Sequence, residues 1–256
     1  MLSKRNLRLL TFAAGCLAAS SCALLPDFGG DGMSNEEEAH LNLQMGVRYM
    51  ELNMLDTAKE KLDISYDLDS SNPDVLNALA IYYERVQNDE QAGDFYQKAI
   101  DKAPDNYSTK NNFGRFLCEH GQHDKGLRLL HESLDSPHNK QPWLTSSNIG
   151  VCQLQLNDAN QAEQYFRRAL QENPRYPLAL QEMAKISYNK QEFMSARAFL
   201  QRYASVAQHT PETLWIGFQT ERALGNPESA EAYKEQLMIS FPVSTEAIQV
   251  KSAISK

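Results

Sequence analysis

The chain has 256 residues, of which 42% are hydrophobic and 23% are charged, and its formal net charge is -8. This composition is enough for a substantial hydrophobic core and argues against intrinsic disorder. The acidic balance, with no cluster of Lys and Arg, argues against a general nucleic-acid-binding protein, so we expect protein partners and no small-molecule substrate.

Residues 1–21 have the pattern of a secretory signal peptide. Basic residues up to Arg8 precede an apolar run over residues 9–19, which is too short to anchor as a membrane-spanning helix. Small residues then stand immediately before a cysteine, in Ala19-Ser20-Ser21-Cys22, and resemble a lipobox, in which the cysteine is acylated and becomes the mature N-terminus. We therefore predict lipidation of Cys22. The glycine-rich stretch that follows predicts a flexible tether, so that residues 22–36 comprise the lipidated cysteine and the tether.

Two alternatives to this lipidation site stay open. Cys16 also follows small residues, although cleavage there would leave only about seven apolar residues after Arg8, at the lower limit for such a signal. A plain secretory peptide with a chance cysteine is the other reading, because Ala19 stands where Leu is commonest.

Acyl chains on Cys22 would hold the protein on a membrane without a spanning helix. Ala23 follows in place of the Asp that tends to retain lipoproteins in the inner membrane, so the lipobox resemblance implies an outer-membrane lipid anchor facing the periplasm.

An internal repeat begins after the tether. One column of small residues recurs at intervals of 34, 34, 36, 34 and 34 residues, with one large exception at its end: Gly46, Ala80, Gly114, Gly150, Ala184 and Phe218. A second column twelve residues later is small throughout: Ala58, Ala92, Gly126, Ala162, Ala196 and Ala230. Small side chains that face each other allow two helices to pack closely, so each unit is predicted to be a helical hairpin.

This period and pattern are the signature of tetratricopeptide repeats. Larger apolar residues flank the small columns, and proline ends or opens several units, as at Pro104, Pro174 and Pro177. The sequence therefore predicts an all-α fold, a right-handed superhelical solenoid of six hairpins over residues 37–243. Residues 244–256 have helical spacing of apolar residues and are predicted to form a C-terminal capping helix.

First helices line the concave face of such a solenoid, and the residues that flank each small position are expected to point into its groove. We predict a protein-binding groove formed by Leu43, Val47, Met50, Asn77, Ile81, Glu84, Asn111 and Arg115, with Cys118 at the next position of the third repeat. An apolar patch in the first repeat is costly to expose, which favours docking of a partner there. Ordinary packing against the tether or an N-terminal turn is the alternative.

Two cysteines remain in the mature chain, Cys118 and Cys152, on the first helices of adjacent repeats. The helices are neighbours in the stack and the periplasm is oxidising, so we predict a disulfide between these cysteines. The alternative is that both are small buried apolar residues, because the two extra residues near Pro137 shift their repeat phases.

No arrangement of residues predicts catalysis. The best local cluster, around Cys118, His120 and His123, has no second ligand pair at zinc-like spacing, and no phosphate-binding loop or nucleophile motif occurs. We therefore expect neither an enzyme nor a protein with a bound metal or cofactor.

The segments Asn111-Asn112-Phe113-Gly114-Arg115-Phe116-Leu117-Cys118-Glu119 and Asn148-Ile149-Gly150-Val151-Cys152 share one repeat phase. Together with the lipobox, tether, six repeats and terminal helix, they resemble the PilW/PilF lipoproteins of type IV pilus biogenesis. That resemblance implies an outer-membrane pilotin that binds the pilus secretin and assists its localisation and multimerisation. The alternative function is another envelope adaptor, for outer-membrane protein assembly or for peptidoglycan enzymes.

Overall fold

A computed structural model describes residues 33–254 of the chain. Within this range the secondary structure is entirely α-helical, which confirms the predicted fold class. The helices are α1 (Asn35–Glu51), α2 (Leu55–Leu68), α3 (Pro73–Arg85), α4 (Asp89–Lys102), α5 (Tyr107–Glu119), α6 (His123–Leu134), α7 (Pro142–Gln155), α8 (Ala159–Glu172), α9 (Pro177–Asn189), α10 (Phe193–Ala204), α11 (Pro211–Ala223), α12 (Pro227–Ser240) and α13 (Thr245–Ile254).

The helices pack as six successive hairpins, from α1 with α2 to α11 with α12. Each second helix also packs against the first helix of the next hairpin, which produces a stack of repeats. The last helix, α13, packs against both α11 and α12 and buries Ala247 and Val250 there. It therefore caps the apolar end of the stack, as the sequence predicted.

The small columns lie where the two helices of a hairpin approach each other. A Cβ atom built on Gly46 would lie 2.7 Å from the Leu62 side chain, and one on Gly150 would lie 2.8 Å from the Phe166 ring. Any larger residue would force the helices apart. Leu62 and Phe166 are themselves fully buried, so the close approach forms the centre of each hairpin core.

The sixth hairpin departs from the predicted column. The repeat interval assigns Phe218 to the small position, but Gly217 is the residue that abuts the second helix, with a built Cβ only 2.6 Å from the Tyr233 ring. Phe218 is buried with Leu214 and Leu237 instead. The exchange of large and small residues therefore shifts the contact point by one position without disrupting the hairpin.

Each hairpin turn contains one residue with a left-handed backbone. These residues have φ between 57° and 75° and occur once per repeat: Asn53, Gln87, Gly121, Asn157, Gln191 and Gly225. In the third repeat, Gly121 N–H donates to Cys118 O and Gln122 N–H donates to Leu117 O, the Schellman pattern that satisfies the last carbonyls of a helix. The other turns have equivalent pairs of hydrogen bonds.

The two extra residues lie in the loop between α6 and α7. Asn139 stabilises this loop because its side-chain amide donates to the Ser133 carbonyl (3.0 Å) and to the Thr145 hydroxyl (3.1 Å). One amide thereby satisfies an acceptor at the end of α6 and another at the start of α7. The stack continues through this junction because α6 still packs on α7.

Candidate protein-binding groove

The predicted lipidation site lies outside the described residues. This applies to Cys22, to its alternative Cys16 and to the signal peptide over residues 1–21, while the predicted tether enters the described range only at residue 33. Among the helices that the structure describes, none is both long and apolar enough to cross a membrane.

A groove of about 600 Å³ lies on the first helices of the first three repeats. It brings together four of the predicted residues, Leu43 and Val47 from α1 and Asn77 and Ile81 from α3. Val47 is 38% exposed, whereas Leu43 is only 9% exposed and forms part of the floor. The groove therefore combines an apolar floor with amide groups.

Charged residues also line the groove. Arg48 and Glu51 pair with each other at 2.8 Å on the α1 side, while Asp74 lies at the start of α3. Sequence reasoning missed Ser108 and Asn112 of α5, which line the groove opposite α1. For Asn112 the signal was its interval of 35 residues from Asn77, one more than the repeat period used to select Asn111.

Met50 does not face the groove, so this prediction was wrong. Its side chain is 3% exposed and lies in the hydrophobic core with Ala58 and Leu62. Met50 is one helical turn after Gly46 and so lies on the face that packs against α2, whereas Glu51, one residue further on, is turned by about 100° and lines the groove. Its backbone carbonyl also accepts a 2.7 Å hydrogen bond from Arg85.

Glu84 and Arg115 bind each other and lie outside the groove lining. Arg115 Nη2 is 2.5 Å from Glu84 Oε2, and its Nη1 is 2.7 Å from Glu119 Oε2. Burial acts to lower the pKa of Arg115, but the carboxylates of Glu84 and Glu119 outweigh it and the pKa is raised. Burial, followed by the charge of Glu84, also raises the pKa of the nearby Tyr96 hydroxyl.

Four asparagines form a continuous chain of side-chain hydrogen bonds across the first helices. Asn112 donates to Asn77 (3.2 Å), Asn111 donates to Asn112 (3.3 Å), and Asn148 donates to Asn111 (3.0 Å). Asn111 is only 5% exposed, so it links the chain and does not line the groove. The amides of Asn77 and Asn112 are thereby held in fixed orientations where they meet the groove.

The structure joins Cys118 and Cys152 in a disulfide with a Cα to Cα distance of 5.6 Å. Cys118 is four residues after Gly114 and Cys152 is two residues after Gly150, so their directions differ by about 160° around the helix axis. One cysteine therefore faces forward along the stack and the other faces back. Cys118 is buried in this bond and lines neither the groove nor, within the described residues, any cluster of metal-ligating groups.

The stacked helical hairpins, with a groove on their first helices, have the fold of the tetratricopeptide-repeat class of solenoid proteins. A tetratricopeptide-repeat family model matches residues 153–213. The chain is 27% identical over 212 residues to the type IV pilus assembly protein PilF of Pseudomonas aeruginosa, covering 82% of this chain and 84% of that protein.

Solved structures extend this similarity to the fold. The structure of Pseudomonas aeruginosa PilF matches with a TM-score of 0.79 and 25% identity, covering 86% of this chain and 99% of the other. PilW, described as a widely conserved type IV pilus biogenesis factor, matches with a TM-score of 0.75 and 25% identity, covering 83% and 97%. The resemblance to the PilW/PilF proteins drawn from the sequence is confirmed.

Proposed function

We propose that this protein is an outer-membrane lipoprotein scaffold for type IV pilus biogenesis that binds the pilus secretin and assists its localisation and multimerisation. The main support is the similarity to PilF, which extends over most of both chains. The lipobox-like sequence before Cys22 supports a lipid anchor, and Ala23 supports the outer membrane. The protein acts by binding and not by catalysis.

The groove over α1, α3 and α5 is the proposed secretin-binding site. Leu43, Val47 and Ile81 provide apolar surface for one or two side chains of a partner segment. Asn77 and Asn112 offer oriented amides, which hydrogen-bond to backbone N–H and C=O groups as well as to side chains. The groove therefore suits a short secretin segment with an apolar anchor.

The experiment is a pull-down of the secretin with the membrane-extracted full-length lipoprotein and its variants. Replacing Val47 and Ile81 together with Ser removes exposed groove surface and is expected to weaken secretin binding by about tenfold or more. Met194→Ser, an exposed apolar residue on α10, is the matched control and is expected to bind as wild type. Circular dichroism checks that all three proteins keep the same helicity.

Met50→Ser is a second comparison, in which a buried core residue is replaced instead of a groove residue. Since Met50 is buried, its replacement is expected to lower the free energy of unfolding by about 2–5 kcal/mol. Absence of the secretin from the wild-type pull-down would contradict the proposed function. Equal binding by the groove variant and Met194→Ser would leave the function standing but contradict the choice of groove.

A further inference from the structure

A second cavity lies between the second helices of the second and third repeats. It has a volume of about 720 Å³, and its walls come from α4 and α6 with α5 beneath. The floor consists of Phe113, Phe116 and Leu117, and Ile100 and Leu129 line its sides. No residue lines both this cavity and the groove over α1, α3 and α5, so the two sites are separate.

Gly93 in the middle of α4 leaves this cavity open. A Cβ built on Gly93 would meet only Phe116, at an ordinary distance of 3.8 Å. The residue does not have the left-handed backbone of Gly121 and Gly225. Glycine inside a helix makes the helix less stable than alanine would, and at this position neither close packing nor backbone conformation requires glycine. Its effect is to leave space above the Phe116 ring.

The position equivalent to Gly93 in the other repeats carries a side chain. That side chain fills the space between its own hairpin and the next hairpin, which we call the seam. Lys59 lies 5.8 Å from the centre of the Tyr83 ring in α3, Glu163 pairs with Lys190 at 2.6 Å, and Arg197 pairs with Glu221 at 2.5 Å. Leu127 packs against the core that contains Ile149 of α7. Among the described junctions between hairpins, the one after α4 alone has no side chain at this position.

The rims of the cavity carry opposite charges that do not pair with each other. Glu90 and Asp94 are exposed on the α4 rim, and among the described residues neither has a cationic partner. On the α6 rim, within residues 33–254, Lys125 donates only to Gln122 and Arg128 has no carboxylate partner. A ligand with charges of both signs would complement both rims, whereas an anionic lipid headgroup would be repelled by one of them.

We propose that this cavity binds a protein segment that places an apolar side chain over Phe113 and Phe116. The segment carries a cationic residue on one side of that anchor, directed toward Glu90 and Asp94. It carries a carboxylate on the other side, directed toward Lys125 and Arg128. The site is independent of the secretin groove and would allow the scaffold to hold two partner segments at once.

The test uses fluorescence anisotropy with labelled 12-residue helical peptides and the full mature chain. The first peptide has a central Phe-Leu pair with Lys on one flank and Glu on the other. The second replaces Phe-Leu with Ala-Ala, and the third carries Glu on both flanks. The first is expected to bind most tightly, because it alone matches the floor and both rims.

Two protein variants localise the binding. Gly93→Leu fills the cavity in the way that Leu127 fills the next seam. It is expected to weaken binding of the first peptide by about tenfold or more. Lys59→Leu makes the same residue at the equivalent position of the first repeat and is expected to leave binding unchanged. Replacing Glu90 and Asp94 with Lys should reverse the preference, so that the peptide with two Glu flanks binds more tightly than the first.

Several results would overturn the proposal. These are no binding of the first peptide up to roughly 1 mM, equal binding by Gly93→Leu, and equal affinity for the Ala-Ala peptide. Sedimentation with phosphatidylglycerol vesicles that Gly93→Leu abolishes would assign the cavity to a lipid and not to a protein segment. Circular dichroism of both Leu variants ensures that the comparison is made between folded proteins.

Discussion

The guanidinium of Arg115 in α5 forms an ion pair with the carboxylate of Glu84 in α3, 2.5 Å from N to O, across the boundary between the second and third repeats. Both side chains are largely shielded from water, at 30% and 15% exposure. We expect Glu84→Gln to lower the free energy of unfolding by about 1–2 kcal/mol, less than for a fully buried pair because solvent screens part of the interaction.

Urea unfolding measures this effect, with Glu51→Gln as the control. Glu51 pairs with Arg48, but both side chains are more than half exposed, so its loss is expected to cost less than about 0.5 kcal/mol. Similar values for the two variants would show that the Glu84 pair contributes no more than a surface pair.

Two glycines, one in a hairpin turn and one inside a helix, are predicted to respond in opposite ways to replacement by alanine. Gly121 has φ of 75°, so Gly121→Ala is expected to destabilise the protein by about 1 kcal/mol. Gly93→Ala lies inside α4 with room for a methyl group and should stabilise it by about 0.5–1 kcal/mol. Thermal unfolding of both variants checks the signs, and a shift in the same direction would contradict the role of the turn.

A glycine should also stabilise the turn of the second repeat. Gln87 adopts φ of 58° without being glycine, and Gln87→Gly is expected to raise the free energy of unfolding by about 0.5–1 kcal/mol. Gln91→Gly, within α4, is the control and is expected to be destabilising. Chemical denaturation of the pair distinguishes relief of backbone strain from a general effect of glycine.

Reduction of the disulfide should weaken the middle of the stack. The bond closes a loop of 34 residues between Cys118 and Cys152, and its loss is expected to cost about 2–4 kcal/mol. The double variant Cys118→Ala, Cys152→Ala should show the same loss and no further response to reductant. Mass spectrometry of the non-reduced protein should yield a cross-linked peptide pair, and two freely alkylated thiols would contradict the bond.

Two histidines should titrate on opposite sides of the ordinary pKa of about 6.5. The hydrogen bond between His120 and the Phe116 carbonyl, together with Asp89 at 3.1 Å, raises the pKa of His120 despite some burial. Burial lowers the pKa of His209. Proton NMR titration, with His120→Gln and His209→Gln for assignment, should resolve both, and coincident midpoints would contradict these environments.

The sign of the stability effect follows from the direction of the shift for His120. Because its folded-state pKa is raised, its contribution is fully present below the unfolded value and is lost as pH rises through the folded value. The wild type should therefore lose stability relative to His120→Gln as the pH increases above about 6.5. A constant difference between the two proteins across this range would contradict the linkage.

Lipidation is tested by Cys22→Ser. We expect this variant to remain as a soluble precursor or to be held at the inner membrane, because the acyl chains are the proposed anchor. Membrane fractionation measures the distribution, with Cys16→Ser as the matched control that should fractionate as wild type. Outer-membrane recovery of Cys22→Ser together with loss in Cys16→Ser would assign the acceptor to Cys16.

The repeat plan could be read from sequence because close packing tolerates only small residues at positions such as Gly46 and Gly150. Groove residues were harder to assign, because an error of one position turns a side chain by about 100° and moves it from groove to core, as for Met50. The cavity above Phe116 left no sequence pattern of its own. Gly93 marks it only when the side chains that fill the other seams are known.

The covalent bond between Cys118 and Cys152 also bears on how the protein opens. Repeats in a stack contact only their neighbours, so local unfolding can begin at either end and spread inward. A cross-link between α5 and α7 interrupts that spread in the middle of the chain. Amide hydrogen exchange should accordingly be slowest around α5 to α7 and increase toward both ends, and reductant should remove this maximum.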